Sequence, residues 1–483
     1  MKILLISPDW GFHRKGLYSR IRPSVPPIGL AYIAAYLRDR NFDVHIIDQY
    51  SSRLSDAGVM KSVGAFKPDV VGFSCITVAM EKAETLSALI KKNNPQVKIV
   101  MGNIHPTALP EETLDSGLVD FVVRGEGEIT MYELAQALRD GSTFEKIEGL
   151  SYIKDGEIRH NPDRPLVKDP DIFPQPAWDL LDISYYHGVE SFFEGRDQML
   201  PVIISRGCPS KCVFCAYSTV FPFIRRRNIA KVVDEIEHNY LKYGVTCVGI
   251  SDSCFPMTLK DGEEFADELI RRGLDKKIKW YFEARVDMVN TKLLKKLKTA
   301  GLVSVFYGFE SGNQEVLNKS GKNILLKDAE AAMKATKAAG LKSSGFFMLG
   351  LPGDNLKTCL ETIRFAKKLD PDVAVFQITI PYPGTELFYS LENHKKLRRE
   401  YQLFSAWRKL VSQESGSSYH PETMTAKELQ MLLRRAFMEF YLRPIKVWNN
   451  IIKGVFPLRY LPAGFIIFLG LVFQGIKSSI RAE

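Results

Sequence analysis

The sequence predicts an α/β protein made of two parallel units in series: a doubly wound sheet, then a closed or partly closed parallel barrel, with a helical C-terminal extension. Three observations carry that prediction. Short apolar runs alternate with helix-period stretches over most of the chain, which is the pattern of βαβ units. A Pro- and Asp-rich interval divides the alternation into two blocks. Beyond residue 390 the composition turns basic, aromatic and helical.

In the first block, residues 1–140, strands are expected at "KILLIS" (2–7), "VHIID" (44–48), "VVGFSCI" (70–76), "KIVMGN" (98–103) and "FVVRG" (121–125). Helical stretches such as "GLAYIAAYLRDR" (29–40) and "MEKAETLSALIKKN" (80–93) lie between them. Doubly wound sheets bind ligands at the carboxyl ends of their strands, so the loops after residues 7, 76, 103 and 125 are the candidates. Residues 141–200 include "GEIRHNPDRPLVKDPDIFPQPAWDLL", show no sustained period, and are expected to cross the surface as a linker. The alternation resumes with strands expected at 201–206, 246–252, 279–285, 303–310, 343–350 and 374–380. Helical patterns such as "IAKVVDEIEHNYLKYG" separate them, several closed by a C-capping glycine. Six successive βα units over residues 201–390 favour the barrel, and a barrel of this type places its chemistry at the carboxyl ends of its strands.

With 45% apolar and 25% charged residues and no repetitive tract, the chain is not of the disordered class. A net charge of +9 is compatible with nucleic acid or an anionic membrane, but scattered solvated lysines account for it equally. Seven cysteines, odd in number and mostly apart, argue against a disulfide framework and for a reducing compartment. The opening "MKILLISPDW" reads as a strand, too short for the apolar core of a signal peptide, and a cytoplasmic protein is expected.

Three of those cysteines, Cys208, Cys212 and Cys215, fall within eight positions directly after the first barrel strand. Structural zinc wants four ligands, usually as two close pairs, and neither Cys247, Cys254 nor His187 stands at ligand spacing from another. A three-cysteine catalytic zinc and a buried structural trio are the remaining bland readings; Gly207 and Pro209 mark a loop, which disfavours the second. A [4Fe–4S] cluster has four corners, and three thiolates would leave one iron open to a chelating molecule.

The pattern C-x₃-C-x₂-C, with Phe214 just before the last cysteine, resembles the signature of the radical S-adenosylmethionine superfamily. The resemblance implies a partial (β/α)₆ barrel and a [4Fe–4S] cluster on Cys208, Cys212 and Cys215, with S-adenosylmethionine on the open iron. In that family one electron from the cluster cleaves the sulfonium to methionine and a 5′-deoxyadenosyl radical. It further implies Glu310 and Ser311, in "YGFESGNQEVLNKSGK", as candidates for the ribose or methionyl end of the cosubstrate. Ser251 and Asp252 of "GISDS" are candidates for the methionyl amine, and Glu283 and Arg285 stand at the end of the third strand. Each has a plainer reading as a loop anchor.

A doubly wound domain ahead of such a barrel resembles the cobalamin-binding subgroup. "RPSVPPIGLAYIAAYLRDRNFDV", "GNIHPTALPEE" and "DFVVRGEGE" are phrases similar to that subgroup, and the likeness covers most of residues 1–390. Its members often carry D-x-H-x-x-G after the first strand, with the histidine on cobalt. This chain has Asp9, His13 and Gly16, with three residues between Asp and His rather than one. His13 is therefore a candidate ligand with a surface-loop histidine as the alternative, and His105 is expected in a structural role. Ser74, Gly102 and Asn103 are the implied contacts of the nucleotide tail.

The tail, residues 391–483, contains "HKKLRREYQLFSAWRKL" and a stretch of seventeen uncharged residues between Arg459 and Lys477. That is short for a membrane span. With Trp448 and Tyr460 at its flanks, peripheral attachment to the inner membrane face is expected, ahead of a spanning helix or a helix folded onto the barrel. The resemblance implies an enzyme that methylates an unreactive carbon of a small-molecule or lipid substrate, fed by a flavodoxin- or ferredoxin-like electron donor. Ring closure, C–C bond formation or oxidation would use the same motifs. A non-enzymatic iron–sulfur or corrinoid sensor is the reading of another class, and it would not need the S-adenosylmethionine phrases. No recognisable RNA-binding module follows the barrel, which ranks nucleic acid low as a partner.

Overall fold

The computed structural model describes residues 1–10, 24–188, 197–391 and 419–452. Two sheets organise it, and both belong to the expected α/β class. The first has seven strands: β1 (Lys2–Ser7), β2 (Asp43–Asp48), β3 (Val70–Ser74), β4 (Lys98–Gly102), β5 (Phe121–Val123), β6 (Leu150–Lys154) and β7 (Glu157–His160). Their spatial order is β2-β1-β3-β4-β5-β6-β7, parallel as far as β5. Strand β1 shows why the sheet is doubly wound. Its interior run Ile3–Ile6 is buried throughout, Ile3 and Leu5 packing with helices Ile28–Arg38 and Gly127–Asp140, while Leu4 and Ile6 pack with Met80–Asn93. Covered on both faces, it needs no polar alternation. The strand order reverses between β1 and β3, so the crevice for a ligand opens at their carboxyl ends.

The second sheet holds β8 (Met199–Val202), β11 (Cys247–Ile250), β12 (Lys279–Ala284), β13 (Leu302–Glu310), β14 (Lys342–Leu349) and β15 (Val373–Ile378), parallel and in chain order. A two-residue ribbon of β9 (Ser205–Arg206) and β10 (Arg225–Arg226) brackets the cysteine loop. Strands β8 and β15 do not pair, so this is a partial barrel. Its outward residues, Trp280 and Phe282 among them, meet the surrounding helices. Met199, Cys247, Tyr281, Val303, Phe306 and Val373 gather as a separate interior cluster that fills the barrel near the amino ends of its strands.

One expectation needs correcting. Residues 141–200 are not a surface linker. Their first part forms the antiparallel hairpin β6–β7, which extends the first sheet through Asp155 (φ 53°) and Gly156 (φ 78°). Both turn residues are left-handed, as a two-residue hairpin requires. Further on, Phe173, Trp178 and Tyr186 are buried, and the Tyr186 hydroxyl donates to Asp48 at 2.9 Å. Apolar burial explains the difference: those aromatics belong to the core, whatever the prolines around them suggest.

The described part of the tail packs on the barrel. Helix Ala426–Tyr441 lays Leu429, Leu432, Leu433, Ala436 and Phe440 against the barrel core. The Tyr441 hydroxyl both accepts from the Ala374 amide and donates to its carbonyl, satisfying the free edge of β15. The segment 394–410 and the apolar stretch after Arg459 lie outside the described residues. Among the described residues, no helix is long and apolar enough to cross a membrane.

Candidate functional site

The cysteine loop is pinned from several sides. Gly207 adopts φ 104°, and a Cβ there would meet the Phe223 carbonyl oxygen at 1.9 Å, so only glycine allows this approach. Beyond it, the Cys208 amide donates to the Phe221 carbonyl at 3.0 Å and the Cys215 amide to that of Cys212 at 3.0 Å. The Val213 amide donates to the Ser320 carbonyl, and the Val213 carbonyl accepts from the Leu387 amide. Phe214, half-buried, sits between these anchors. Gly321 comes so close that a Cβ would stand 2.2 Å from the Lys211 carbonyl oxygen. From the end of β12, Arg285 reaches Ser210 Oγ at 2.8 Å and the carbonyls of Lys322 and Asn323. Its sequence-level candidacy as a cosubstrate contact becomes, in the structure, a clamp on the loop.

Burial pushes the Cys212 thiol up to about 11; the Lys322 ammonium opposes this, and Cys215, Glu310 and Cys208 add to it. The three thiols therefore sense one another, and three thiolates here call for a compensating positive centre. Among the described residues no three His, Cys, Asp or Glu side chains converge as the donors of one ion must. Cys208, Cys212 and Cys215 share one loop, the donor set that three corners of a cluster need.

Next to the loop lies a pair that sequence reading half missed. Glu310, buried and with φ 62°, meets Lys322 Nζ at 2.9 Å, and both occupy the space a Gly308 side chain would fill. Lys322 was not anticipated: it is 110 positions from Cys212 and looks like one more surface lysine. Glu283 faces the open interior of the barrel. Its carboxyl is raised by desolvation and by the Glu310 charge, with Lys322 opposing.

Asp252 and Ser311 require correction. Asp252 accepts from the Ile204 amide at 2.8 Å, the Ser205 amide at 2.7 Å and the Ser205 hydroxyl at 2.6 Å. Burial lifts it to about 7 against those donors. Its oxygens are committed to the strand that leads into the cysteine loop, not to a methionyl amine. Ser311 is fully buried, shares a 3.2 Å hydrogen bond with Thr362 of helix Leu356–Leu369, and accepts from the Asn313 amide. It anchors a turn to an outer helix. Ser251 remains accessible and lines the cavity described next.

A cavity of about 350 Å³ lies between the two sheets, at the carboxyl ends of both. The first sheet supplies mainly space: Gly72, Gly102, Gly125 and Gly127 line it, beside Ser74 and Asn103. A Cβ on Gly72 would lie 2.9 Å from Leu5, and one on Gly102 would lie 3.3 Å from the Val123 carbonyl. Asn103 (φ 85°) donates to Ser74 Oγ at 2.9 Å, so the expected trio of Ser74, Gly102 and Asn103 is brought together. A cradle that side chains would fill fits a bulky, largely backbone-contacted cofactor tail. His13 lies outside the described residues. His105 is buried beside Thr77, and burial lowers it to about 3, so it stays neutral. The barrel side of the same cavity includes Arg206, Tyr217 and Ser251.

The two halves are joined by buried charges. Arg206 meets Glu126 at 3.0 Å and Glu128 at 2.7 Å, and Arg225 meets Glu126 at 2.7 Å, with every partner's side chain no more than 11% exposed. The Arg206 guanidinium also lies 4.6 Å from the Phe173 ring centre. These residues were not singled out from sequence; their one signal is the pairing of "RGEGE" after β5 with the arginine that precedes Gly207.

Comparison with known proteins agrees with this geometry. Residues 14–135 match the B12 binding domain family and residues 202–366 match the Radical SAM superfamily. An uncharacterized methyltransferase of Pyrococcus horikoshii is 36% identical over 97% of this chain and 96% of its own. The anaerobic magnesium-protoporphyrin IX monomethyl ester cyclase of Rubrivivax gelatinosus is 31% identical over 81% of this chain and 70% of its own. Among solved structures, a radical S-adenosylmethionine methyltransferase from Kitasatospora setae, with cobalamin and a [4Fe-4S] cluster bound, superposes with a TM-score of 0.65 at 18% identity, covering 80% of this chain and 73% of that one.

Proposed function

We propose, from the premise that this chain belongs to the cobalamin-binding radical S-adenosylmethionine enzymes, that it transfers a methyl group to an unactivated carbon of a hydrophobic or biosynthetic-intermediate substrate. The chain is a radical S-adenosylmethionine enzyme, and its cofactors are a [4Fe–4S] cluster, S-adenosylmethionine and cobalamin. When bound, the cluster supplies the electron that opens the sulfonium, and cobalamin carries the methyl group.

One observation carries the reading: both sheets turn strand carboxyl ends toward one shared cavity. A reaction that needs two cofactors at one carbon needs that arrangement. Cys208, Cys212 and Cys215 would hold the cluster, and Arg285 and Gly321 seat their loop. Lys322 and Glu310 place a paired cation and anion beside the thiols, and Glu283 offers a second carboxyl to the barrel interior. Gly72, Gly102 and the Ser74–Asn103 pair would receive the cobalamin tail. The Arg206–Glu126 contact holds the two halves together at the edge of the cavity. A flavodoxin- or ferredoxin-like protein is the proposed electron donor.

Ring closure is the second reading, favoured by the likeness to the Rubrivivax cyclase. The two separate by product. Anaerobically reconstituted enzyme, given reductant, methyl-labelled S-adenosylmethionine and an extract of candidate substrates, should release S-adenosylhomocysteine together with 5′-deoxyadenosine and place the label in an extractable compound. Release of 5′-deoxyadenosine with no S-adenosylhomocysteine and no label transfer would exclude methylation and favour cyclisation.

A further inference from the structure

The helix Pro444–Ile452 is built with its polarity reversed. Lys446 and Asn450, four residues apart and so on one face, are the buried ones, at 3% and 0% exposure. Lys446 Nζ pairs with Asp370 at 3.2 Å and donates to the Pro371 carbonyl. Asn450 Nδ2 donates to the Asp372 carbonyl at 3.0 Å, and Arg443, just before the helix, meets Asp370 at 2.7 Å. Outward stand Ile445, Trp448 and Ile452, exposed at 65%, 63% and 66%, with Val447 and Leu442 beside them. A surface helix that docks for stability does the opposite and buries its apolar stripe. A contiguous exposed apolar face of this kind marks an interaction site.

What covers it follows from the chain around it. Apart from Arg443 and Lys446, which pair with Asp370, residues 443–483 hold four basic residues and one acidic, Glu483, which complements an anionic surface. Eight positions after Ile452 begin the seventeen uncharged residues 460–476, bounded by Arg459 and Lys477. As a helix that stretch would reach about 25 Å, short of the roughly 30 Å hydrocarbon core, so it suits the boundary of a bilayer rather than its crossing. Tryptophan at the edge of an apolar face favours the headgroup level.

We propose that the face of Ile445, Trp448 and Ile452 docks onto an anionic lipid bilayer, apolar side chains entering the acyl boundary and the flanking basic residues meeting the headgroups. The position of this face gives the contact its meaning. Asp370–Asp372 immediately precede β15, at the amino end of the barrel, whereas the cysteine loop and the cavity stand at the carboxyl ends. The bilayer therefore meets the floor of the barrel, about 20 Å of strand away from the chemistry. The contact holds the enzyme at a membrane without making the cavity open onto that leaflet.

The test is vesicle flotation of the full-length, anaerobically reconstituted protein with phosphatidylcholine alone and with phosphatidylcholine–phosphatidylglycerol mixtures. The wild type should float with the anionic vesicles. I445E/W448E should float at least ~10-fold less, with 5′-deoxyadenosine release unchanged. Independently of that variant's folding, brominated lipid should quench the fluorescence that wild type has and Trp448→Phe lacks. Wild type that stays down with both vesicles overturns the proposal, as does a double variant that floats like wild type. A Trp448 signal untouched by brominated lipid also overturns it and assigns the face to residues 453–483 or to a second copy of the chain.

Discussion

The two sheets bring strand carboxyl ends to the same cavity, and each prepares its own binding site by opposite means. The barrel works by adding groups: three thiols, an arginine clamp and a buried lysine–glutamate pair. The first sheet works by leaving them out, with Gly72, Gly102, Gly125 and Gly127 where side chains could stand. The difference follows from what each must hold. A cluster needs covalent donors at fixed corners. A large preformed cofactor needs shape, close backbone approach and few ligands.

That comparison is sharpest where one site can be destroyed without the other. Cys212→Ala should reduce 5′-deoxyadenosine release to background and lower the iron bound, while corrinoid retained through gel filtration stays at the wild-type level; loss of both would show that the sites do not form independently. The mirror experiment is Gly102→Val, whose branched side chain enters the cradle beside the Val123 carbonyl. Corrinoid affinity should fall about 10- to 100-fold, the cost of overpacking, with cosubstrate cleavage retained. A smaller effect is expected from Arg285→Lys. Lysine cannot span Ser210 and the carbonyls of Lys322 and Asn323 at once, so iron content and cleavage rate should drop together by roughly 10-fold. A last probe lies between the sites and leaves the proposed ligands of both cofactors in place. Glu126→Gln should lower urea stability by about 3 kcal/mol, since it leaves Arg206 and Arg225 buried without their shared anion.

The same carboxylate gives a pH signature. Burial raises Glu126, but hydrogen bonds and charge from Arg225 and Arg206 outweigh it and hold the group below its usual 4.5. A depressed carboxyl stabilises the fold above 4.5 and loses that contribution as pH falls through the lower, folded value. Acid unfolding monitored below pH 4.5 should therefore be shallower in Glu126→Gln than in wild type.

Much of this was legible in the order of residues. The cysteine spacing and the βα alternation are local patterns, and local patterns survive in a single sequence. Lys322 was not legible because its meaning arises only when the segment after β13 folds against Cys212, with Gly321 allowing the approach. Asp252 and Ser311 were misread for a related reason. A polar residue at a strand end can face the cavity or the backbone of a neighbouring loop, and spacing does not say which. The hairpin β6–β7 is another matter: Asp155–Gly156 between two short alternating runs is a hairpin signal, masked by the prolines that follow. The inverted helix at Pro444–Ile452 escapes periodicity altogether, because amphipathic spacing reveals two faces without saying which one the protein covers.

The arginine–glutamate contact between the halves also limits how the molecule can breathe. Swinging the sheets apart would strip partners from two buried guanidinium groups, roughly 3–5 kcal/mol for a single broken pair, so fewer than about one molecule in a hundred would be found ajar. Reactants must then arrive and depart with the two sheets held together, not through a clamshell stroke.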